Sequence, residues 1–195
     1  MAAKIFLWVG HPTDTSLSHG LADAYQRGAE AAGAEVRRMN LHDMAFDLDL
    51  THGYKQRKDH EPCLIEFLES IKWADTLAWF HPLWWGGMPA KMQGVIDRTF
   101  LPGIAFDYHD DDPWWDKLFE GRTADVFVNA DTPGFFIKWM YGNPHKNRIT
   151  KQVLGFTGVK VKSYSHFAQA KTADEKKIGT WLSKAEKIGA EAAKR

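Results

Sequence analysis

The sequence predicts an α/β protein in which one parallel sheet lies between two layers of helices. Three observations support this prediction. Five strand-like segments alternate with amphipathic helical segments along the 195 residues. Most of these strands are short continuous apolar runs, as expected for parallel strands that are covered on both faces. Right-handed crossovers and this number of strands favour a five-stranded sheet with the order 2-1-3-4-5.

The first half of the chain provides three of these strands, which are predicted at residues 4–9, 35–40 and 76–81. The second is more polar than the others, which places it nearer an edge of the sheet. Apolar residues at helical spacing predict one helix that ends near Gly33 and another that Pro62 opens. Residues 41–61 show no period and are rich in Asp, His and Lys, which predicts a long surface connection.

The second half of the chain continues the alternation of helix and strand. Its predicted elements are a helix from residues 88–90, irregular structure at 101–122, a strand at 124–129, a loop at 131–144, a helix at 146–155, a strand at 159–166 and a helix from about 172. In the predicted strand order, the direction of winding reverses between the first and third strands. Ligands are therefore expected at the loops that leave these two strands, with the loop after the fourth strand alongside.

Composition and charge exclude several classes of protein. The 25 Lys and Arg balance 25 Asp and Glu, and a neutral chain argues against a nucleic-acid binder. No apolar run is long enough for a transmembrane helix or a signal peptide, and Cys63 has no second cysteine to pair with. The nine histidines lack the spacing of a zinc enzyme motif, so no metal site is expected. We therefore expect a cytoplasmic protein with a single domain over residues 1–195.

The loop after the first strand carries hydroxyl side chains just before a helix. They are Thr13, Thr15, Ser16 and Ser18. Together with the free N–H groups and the dipole of the helix, these hydroxyls form an anion site suited to a phosphate. The alternative is that one of them only caps the helix, which on its own is the simpler interpretation.

The loop after the third strand contains adjacent tryptophans followed by two glycines. Gly86 and Gly87 would let the backbone approach a planar ligand, while Trp84 or Trp85 lies along its ring. A packed surface turn is the alternative, but paired tryptophans that face water are costly. Five of the nine tryptophans fall in predicted loops: Trp84, Trp85, Trp114, Trp115 and Trp139. A flat cofactor, a flat substrate and a subunit contact would together account for them.

The loop after the fourth strand begins with small polar residues and continues with aromatic ones. The backbone of residues 129–134 could hydrogen-bond a heterocycle. The aromatic residues are Phe135, Phe136, Trp139 and Tyr141. They could form the wall of a hydrophobic substrate site or a contact between subunits, and both alternatives remain open.

A family resemblance rests on residues 82–100, which read PLWWGGMPAKMQGVIDRTF, and on GIAF at 103–106. These segments resemble the signature of the flavodoxin-like NAD(P)H:quinone oxidoreductases. That group includes bacterial modulators of drug activity, ancillary subunits of potassium efflux systems and mammalian quinone reductase. The GHP at 10–12, with Thr15 and Ser16, is similar to their flavin-phosphate loop. The resemblance follows nearly the whole chain and implies a flavodoxin-like three-layer sandwich.

This resemblance implies a flavin, FMN or FAD, with NAD(P)H as co-substrate. FMN is favoured because the sequence shows no added element that would hold an adenosine. The residues that would bind the flavin are His11, Thr15, Ser16, Leu17, Ser18, Pro82, Leu83, Trp84, Trp85, Gly86, Asn129, Asp131, Thr132 and Gly134. The implied mechanism is ping-pong: a reduced nicotinamide gives hydride to flavin N5 and leaves, and a quinone or similar flat acceptor then takes its place.

The chain departs from the family in the third of these loops. Mammalian quinone reductase has Thr-Thr-Gly-Gly there and, further on, a Tyr and a His in its substrate cavity. Residues 129–134 read NADTPG instead, and Tyr141 and His145 are the candidates for the Tyr and the His. We also expect a homodimer. The alternative function is a flavin- or nucleotide-binding regulatory subunit of a partner such as a transporter.

Overall fold

A computed structural model describes residues 2–195 of the chain. Its strands are β1 (Lys4–Val9), β2 (Glu35–Asn40), β3 (Thr76–Pro82), β4 (Phe106–Tyr108), β5 (Trp115–Lys117), β6 (Thr123–Ala130) and β7 (Lys160–Ala168). Its α-helices are α1 (Leu17–Ala31), α2 (Pro62–Trp73), α3 (Ala90–Thr99), α4 (Pro144–Asn147) and α5 (Glu175–Ala192). Five parallel strands form one sheet in the order β2-β1-β3-β6-β7. Because β6 and β7 are the fourth and fifth predicted strands, the predicted order is confirmed.

The sheet buries side chains on both faces, as the continuous apolar runs predict. On one face Trp8 and Trp79 meet edge to face, with ring centroids 5.1 Å apart, beneath α2 and α3. On the other face Tyr25 of α1 packs against Phe80 and Phe127, whose rings are stacked with centroids 4.4 Å apart. Every residue of the central strand β3 is buried, whereas the edge strand β2 alternates with exposed positions. The core therefore spans three layers.

The connection between β2 and α2 is long and mostly irregular, as predicted, yet its end is firmly anchored. The guanidinium of Arg98, fully buried on α3, donates to the Asp59 carbonyl at 2.7 Å, to the Asp47 carbonyl and to the Glu61 carboxylate at 2.9 Å. Burial raises the pKa of the Glu61 carboxyl, but the bonds from Arg98 and from the Asp47 N–H outweigh it and bring the pKa to about 2. One buried cation thus organises this connection.

Residues 101–122, predicted to be irregular, contain the antiparallel hairpin of β4 and β5, so that part of the prediction was wrong. Trp115, placed in a loop by the sequence, lies in β5, where its ring stacks on Phe156 and its Nε1–H donates to the Phe156 carbonyl at 2.8 Å. Strands of three residues are too short to show an alternating pattern, which explains the error.

The predicted loop at 131–144 was also wrong in part, because it contains a π-helical turn at Phe136–Met140. The helix predicted at 146–155 begins earlier, as α4, and continues as a second π-helical turn at Arg148–Val153. A π-helical turn, in which each hydrogen bond spans five residues, is too short here to produce a recognisable periodic pattern of apolar residues in the sequence. Between residues 2 and 195, no helix combines the length and the apolar character needed to cross a bilayer.

Candidate functional site

The loops that follow β1, β3 and β6 meet at the carboxyl edge of the sheet, as the strand order requires. Pro82 at the end of β3 lies in register with Asn129 of β6. The Asn129 side-chain oxygen accepts a hydrogen bond from the Ser18 hydroxyl at 2.7 Å, and its carbonyl accepts one from the Leu83 N–H at 2.8 Å. Asn129 therefore links the start of α1 to the loop after β3, and with Ser18 it serves to hold the three loops together.

The loop after β1 presents the N-terminus of α1. Ser16 is the N-cap residue, and its hydroxyl accepts a hydrogen bond from the His19 N–H at 3.4 Å. Thr15 is exposed, and Leu17 is half-buried against the core. His11 accepts a hydrogen bond from the Thr13 N–H at 3.2 Å, and burial lowers the pKa of its imidazole. The capping role predicted for this loop is therefore confirmed at Ser16, and its role as an anion site stays a prediction.

Gly10 allows this loop to start close to the sheet. Its N–H donates to the Phe80 carbonyl at 2.7 Å, which extends the pairing of β1 with β3 by one residue. A Cβ at this position would lie 2.3 Å from the sulfur of Met92 on α3. A larger side chain here would therefore require the Met92 side chain to move.

The loop after β3 forms a tight two-residue turn. The N–H groups of Trp84 and Gly87 each donate to the other's carbonyl at 2.9 Å. Between them Trp85 has φ +50° and Gly86 has φ +77°, so both central residues are left-handed, as in a type I′ turn. A left-handed conformation costs a residue such as Trp about 1–2 kcal/mol. The turn nevertheless holds the Trp85 side chain fully exposed, beside a Trp84 that is about half exposed.

The loop after β6 places its polar residues at the edge and its aromatic residues in solvent. The Asp131 carboxylate accepts a hydrogen bond from the Lys171 N–H at 2.8 Å, and Thr132 and Gly134 are half-buried. The exposed apolar side chains that follow are Phe135, Trp139, Met140 and Tyr141. This segment and the Trp84–Gly87 turn are the two places where large aromatic surfaces border the carboxyl edge.

The two candidate catalytic residues lie in different environments. Tyr141 is exposed at the end of the π-helical turn, whereas His145 on α4 is only 1% exposed. The His145 Nε2 lies 3.3 Å from the Nε2 of His81, which is fully buried at the end of β3. Burial, with the neighbouring charges of His81, Arg148 and His166, lowers the pKa of His145 to about 2. The structure therefore places His145 as a neutral contact between β3 and α4, with no hydrogen bond to Tyr141 in residues 2–195.

Sequence reasoning did not identify two histidines near the N-terminus of α1. The His19 ring is 8% exposed, and its Nδ1 lies 2.8 Å from the Ser16 hydroxyl oxygen. His42, just after β2, places its ring centroid 5.6 Å from that of His19. The signal was present, since histidine stands three residues after the N-cap serine, where a capping box has Glu or Gln.

The residues present fit the phosphate end and the ring of a flavin. The donor set at the first loop combines the Thr15 hydroxyl with helix N–H groups that have no intrahelical acceptor, which is the chemistry that binds a phosphate. The buried Nε2 of His19 has no hydrogen-bond partner within the described chain. The position where Gly86 would carry a Cβ is open to solvent, so no atom of residues 2–195 blocks a ring from approaching this side of the turn. Residues 2–195 contain no group of three or more side chains that could hold a metal ion.

Comparisons with known proteins agree with this architecture. A family model described as flavodoxin-like fold matches residues 3–188. The human ribosyldihydronicotinamide dehydrogenase (quinone) is 27% identical over 159 residues, which cover 67% of this chain and 68% of that protein. The chain spans about half the length of the other curated relatives it matches.

Two solved structures share the fold at low sequence identity. An NAD(P)H:quinone oxidoreductase from Methanothermobacter marburgensis has a TM-score of 0.80 and 23% identity, covering 97% of this chain and 98% of that one. An FMN-dependent NADH-azoreductase from Bacillus anthracis, solved with FMN, has a TM-score of 0.75 and 16% identity, covering 98% and 99%. At these identities the likeness concerns the fold alone.

Proposed function

This chain belongs to the family described as flavodoxin-like fold, and on that premise we propose that residues 1–195 form a single flavin-binding domain that reduces a quinone or similar flat acceptor with NAD(P)H. One observation carries the proposal. The helix N-terminus capped by Ser16 and the turn with the exposed Trp84 and the left-handed Trp85 meet at one edge of the sheet. The names of the human relative and of the Methanothermobacter neighbour support the choice of reaction.

The proposed flavin site divides among the three loops. His11, Thr15, Ser16 and the first N–H groups of α1 would bind the phosphate, and Leu17 and Ser18 would hold that helix end in place. Pro82, Leu83, Trp84, Trp85 and Gly86 would border the ring, and Asn129, Asp131, Thr132 and Gly134 would close the third side. A flavin bound there supplies a ring that accepts a hydride and passes on two electrons. The protein orients that ring and excludes water from one of its faces.

The exposed aromatic side chains favour a reaction in which both substrates use the same place in turn. Trp84 and Trp85 on one loop and Phe135, Trp139 and Tyr141 on another border the same edge and offer flat apolar surfaces. A nicotinamide and a quinone are both flat rings that such surfaces stack against. We therefore propose ping-pong turnover, with Tyr141 as the candidate proton donor because its hydroxyl-bearing ring is exposed. His145, buried against His81, is assigned to the support of the loops.

We propose FMN as the flavin and a homodimer as the assembly. FMN is favoured because the azoreductase that shares the fold is FMN-dependent. It is also favoured because we have assigned no element beside the first loop to binding an adenosine.

The homodimer is supported by exposed aromatic residues that lie outside the three loops assigned to the flavin. Tyr54 and Tyr108 line a cavity of about 260 Å³ beside α3, and Trp114 is exposed on the nearby hairpin. Such patches are typical of protein contacts.

The proposal is tested by the absorbance spectrum of the purified protein, followed by turnover with NADPH or NADH and a quinone. We expect a yellow protein, release of FMN on denaturation, and quinone-dependent oxidation of the nicotinamide. Protein that stays colourless after incubation with excess FMN or FAD would contradict flavin binding. Flavin binding with negligible turnover would instead support the regulatory-subunit alternative and overturn the enzymatic proposal.

A further inference from the structure

Three imidazole rings converge beside the N-terminus of α1. The ring centroids of His11 and His19 are 6.1 Å apart, and those of His19 and His42 are 5.6 Å apart. The three residues come from different elements: the loop after β1, the first turn of α1 and the turn after β2. We call these three residues the open histidine group. They surround the same helix end to which the flavin phosphate has been assigned.

Two nitrogens in this group are buried and have no partner among residues 2–195: His19 Nε2 and His42 Nδ1. A buried polar atom without a partner costs roughly 1–3 kcal/mol, so such atoms normally have a partner in the functional state. The opposite nitrogen of each ring is already engaged. The His19 Nδ1 lies 2.8 Å from the Ser16 hydroxyl oxygen, and the His42 Nε2 lies 3.0 Å from the Asp43 carboxylate. In a protonated ring these free nitrogens carry an N–H and can donate to a ligand.

The charged and titratable groups that change the pKa of His19 lie on β2, on α1 and on the loops that follow β1 and β2. Arg38 of β2 lies near it but is paired with Asp23 of α1 at 2.6 Å. Burial is the largest cause that lowers the pKa of His19, and the charges of Arg38, His42 and His11 lower it further, while Asp23 opposes them. His19 is therefore neutral near pH 7 before a ligand binds. An anion placed between these rings would reverse the balance and favour the charged form.

We propose that His19 and His42 are binding residues for a terminal phosphate, that His19 takes up a proton on binding, and that the site therefore selects the phosphate monoester of FMN over the pyrophosphate diester of FAD. This inference rests on the proposed flavin-binding function. A phosphate monoester carries two charges above its second pKa of about 6, whereas each phosphate of a diester carries one. The His19 and His42 imidazoles, together with the N-terminus of α1, provide the donors that a doubly charged phosphate monoester needs. The proton comes from solvent and resides on an imidazole nitrogen.

The sign of the pH dependence follows from linkage. The bound dianion raises the pKa of the His19 imidazole above its value in the free protein, so binding takes up protons. The affinity for FMN then falls as pH rises through the pKa of the bound state. Between about pH 6.5 and 8.5 the phosphate itself is mostly dianionic, so the change belongs to the protein. Riboflavin, which lacks the phosphate, provides the matched ligand without this coupling.

The test is isothermal titration calorimetry of FMN, FAD and riboflavin in two buffers of different ionisation enthalpy. With a pKa shift of about one unit, we expect FMN binding to take up about half a proton near pH 6.5 and to weaken by roughly threefold from pH 6.5 to 8.5. FAD should bind more weakly than FMN, and riboflavin should show no proton uptake. His19→Gln and His42→Gln should each reduce the uptake and weaken FMN binding at pH 6.5.

His19→Gln is chosen because glutamine at this position completes a capping box with Ser16 and so preserves the helix start. Retained riboflavin binding shows that each variant is folded. His52→Gln, on the exposed part of the long connection, is the matched control and should bind FMN like the unaltered chain. FMN binding without proton uptake, or variants with unchanged affinity, would overturn this inference while the flavin function stands. Absence of binding by all three flavins would instead overturn the proposed function.

Discussion

Two groups of histidines lie at the same edge of the sheet and differ in what surrounds them. The open histidine group, at the N-terminus of α1, includes ring nitrogens without a protein partner. The second, formed by His81 and His145, is buried, and its two Nε2 atoms lie 3.3 Å apart. We call it the buried histidine pair. In the buried histidine pair the two Nε2 atoms face each other and join β3 to α4, whereas in the open histidine group no atom of residues 2–195 forms a hydrogen bond with His19 Nε2 or His42 Nδ1, the atoms proposed above to bind a phosphate.

The largest expected effect is on the buried histidine pair. His145→Ala would leave a cavity and remove the partner of the His81 Nε2. Together these changes should lower the free energy of unfolding by about 2–4 kcal/mol. His42→Ala, in the open histidine group, should cost less than about 1 kcal/mol. Urea unfolding of both variants measures the contrast, and equal losses would show that the two groups do not differ as described.

The tryptophans offer the same contrast between buried and exposed members. Trp8 and Trp79 are buried in the core, whereas Trp84 and Trp85 are exposed at the turn. Trp84→Ala combined with Trp85→Ala should weaken FMN binding by about 1–3 kcal/mol, or roughly 5- to 150-fold, through lost stacking. Its effect on the free energy of unfolding should be smaller. FMN fluorescence titration and thermal unfolding compare the two.

Trp114→Ala is the control for this double variant, because Trp114 is an exposed tryptophan on the hairpin loop, away from the proposed flavin loops. It should leave the FMN dissociation constant unchanged. If the double variant instead loses stability more than affinity, Trp84 and Trp85 belong to ordinary packing.

The buried histidine pair also makes the stability of the fold depend on pH. Burial lowers the pKa of His81 to about 4 and is the largest cause that lowers the pKa of His145 to about 2, from 6.5 in both cases. Below pH 6.5 the unfolded chain binds protons that the folded chain excludes, so the folded state loses stability as pH falls toward 4. The expected slope is about 1.4 kcal/mol per pH unit for each histidine.

Urea unfolding at a series of pH values measures this slope. His81→Leu should remove about half of it, because one of the two excluded protons is lost. A stability curve that stays flat from pH 6.5 to 4 in the unaltered chain would mean that the pair is accessible to protons, which contradicts its burial.

Much of the fold could be predicted because its signals are local. Residues 4–9 and 76–81 are apolar runs, and Gly33 and Pro62 mark a helix end and a helix start. The hairpin of β4 and β5 was missed because its pairing depends on contacts such as Trp115 with Phe156, which lie 41 residues apart in the sequence. Short elements fixed by tertiary packing leave no periodic pattern.

The sequence predicted which loops form the candidate site, but it did not predict which side chains contact each other there. The residues Ser16, Trp84 and Asn129 were placed at the correct edge because strand order determines where loops meet. That Asn129 bonds to Ser18, and that His145 faces His81, depends on the register of β3 with β6 and on the path of α4. Neither of these two contacts can be predicted from the spacing of residues in a single sequence.

The buried guanidinium of Arg98 holds both ends of the long connection between β2 and α2. The carbonyls of Asp47 and Asp59 and the carboxylate of Glu61 all depend on this one side chain. Breaking it frees both ends of the segment together, so the segment opens in a single step instead of fraying residue by residue. The Asp47 amide hydrogen, which donates to Glu61, then exchanges with solvent only when this anchor opens, whereas residues 51–57 between the anchored ends are exposed throughout.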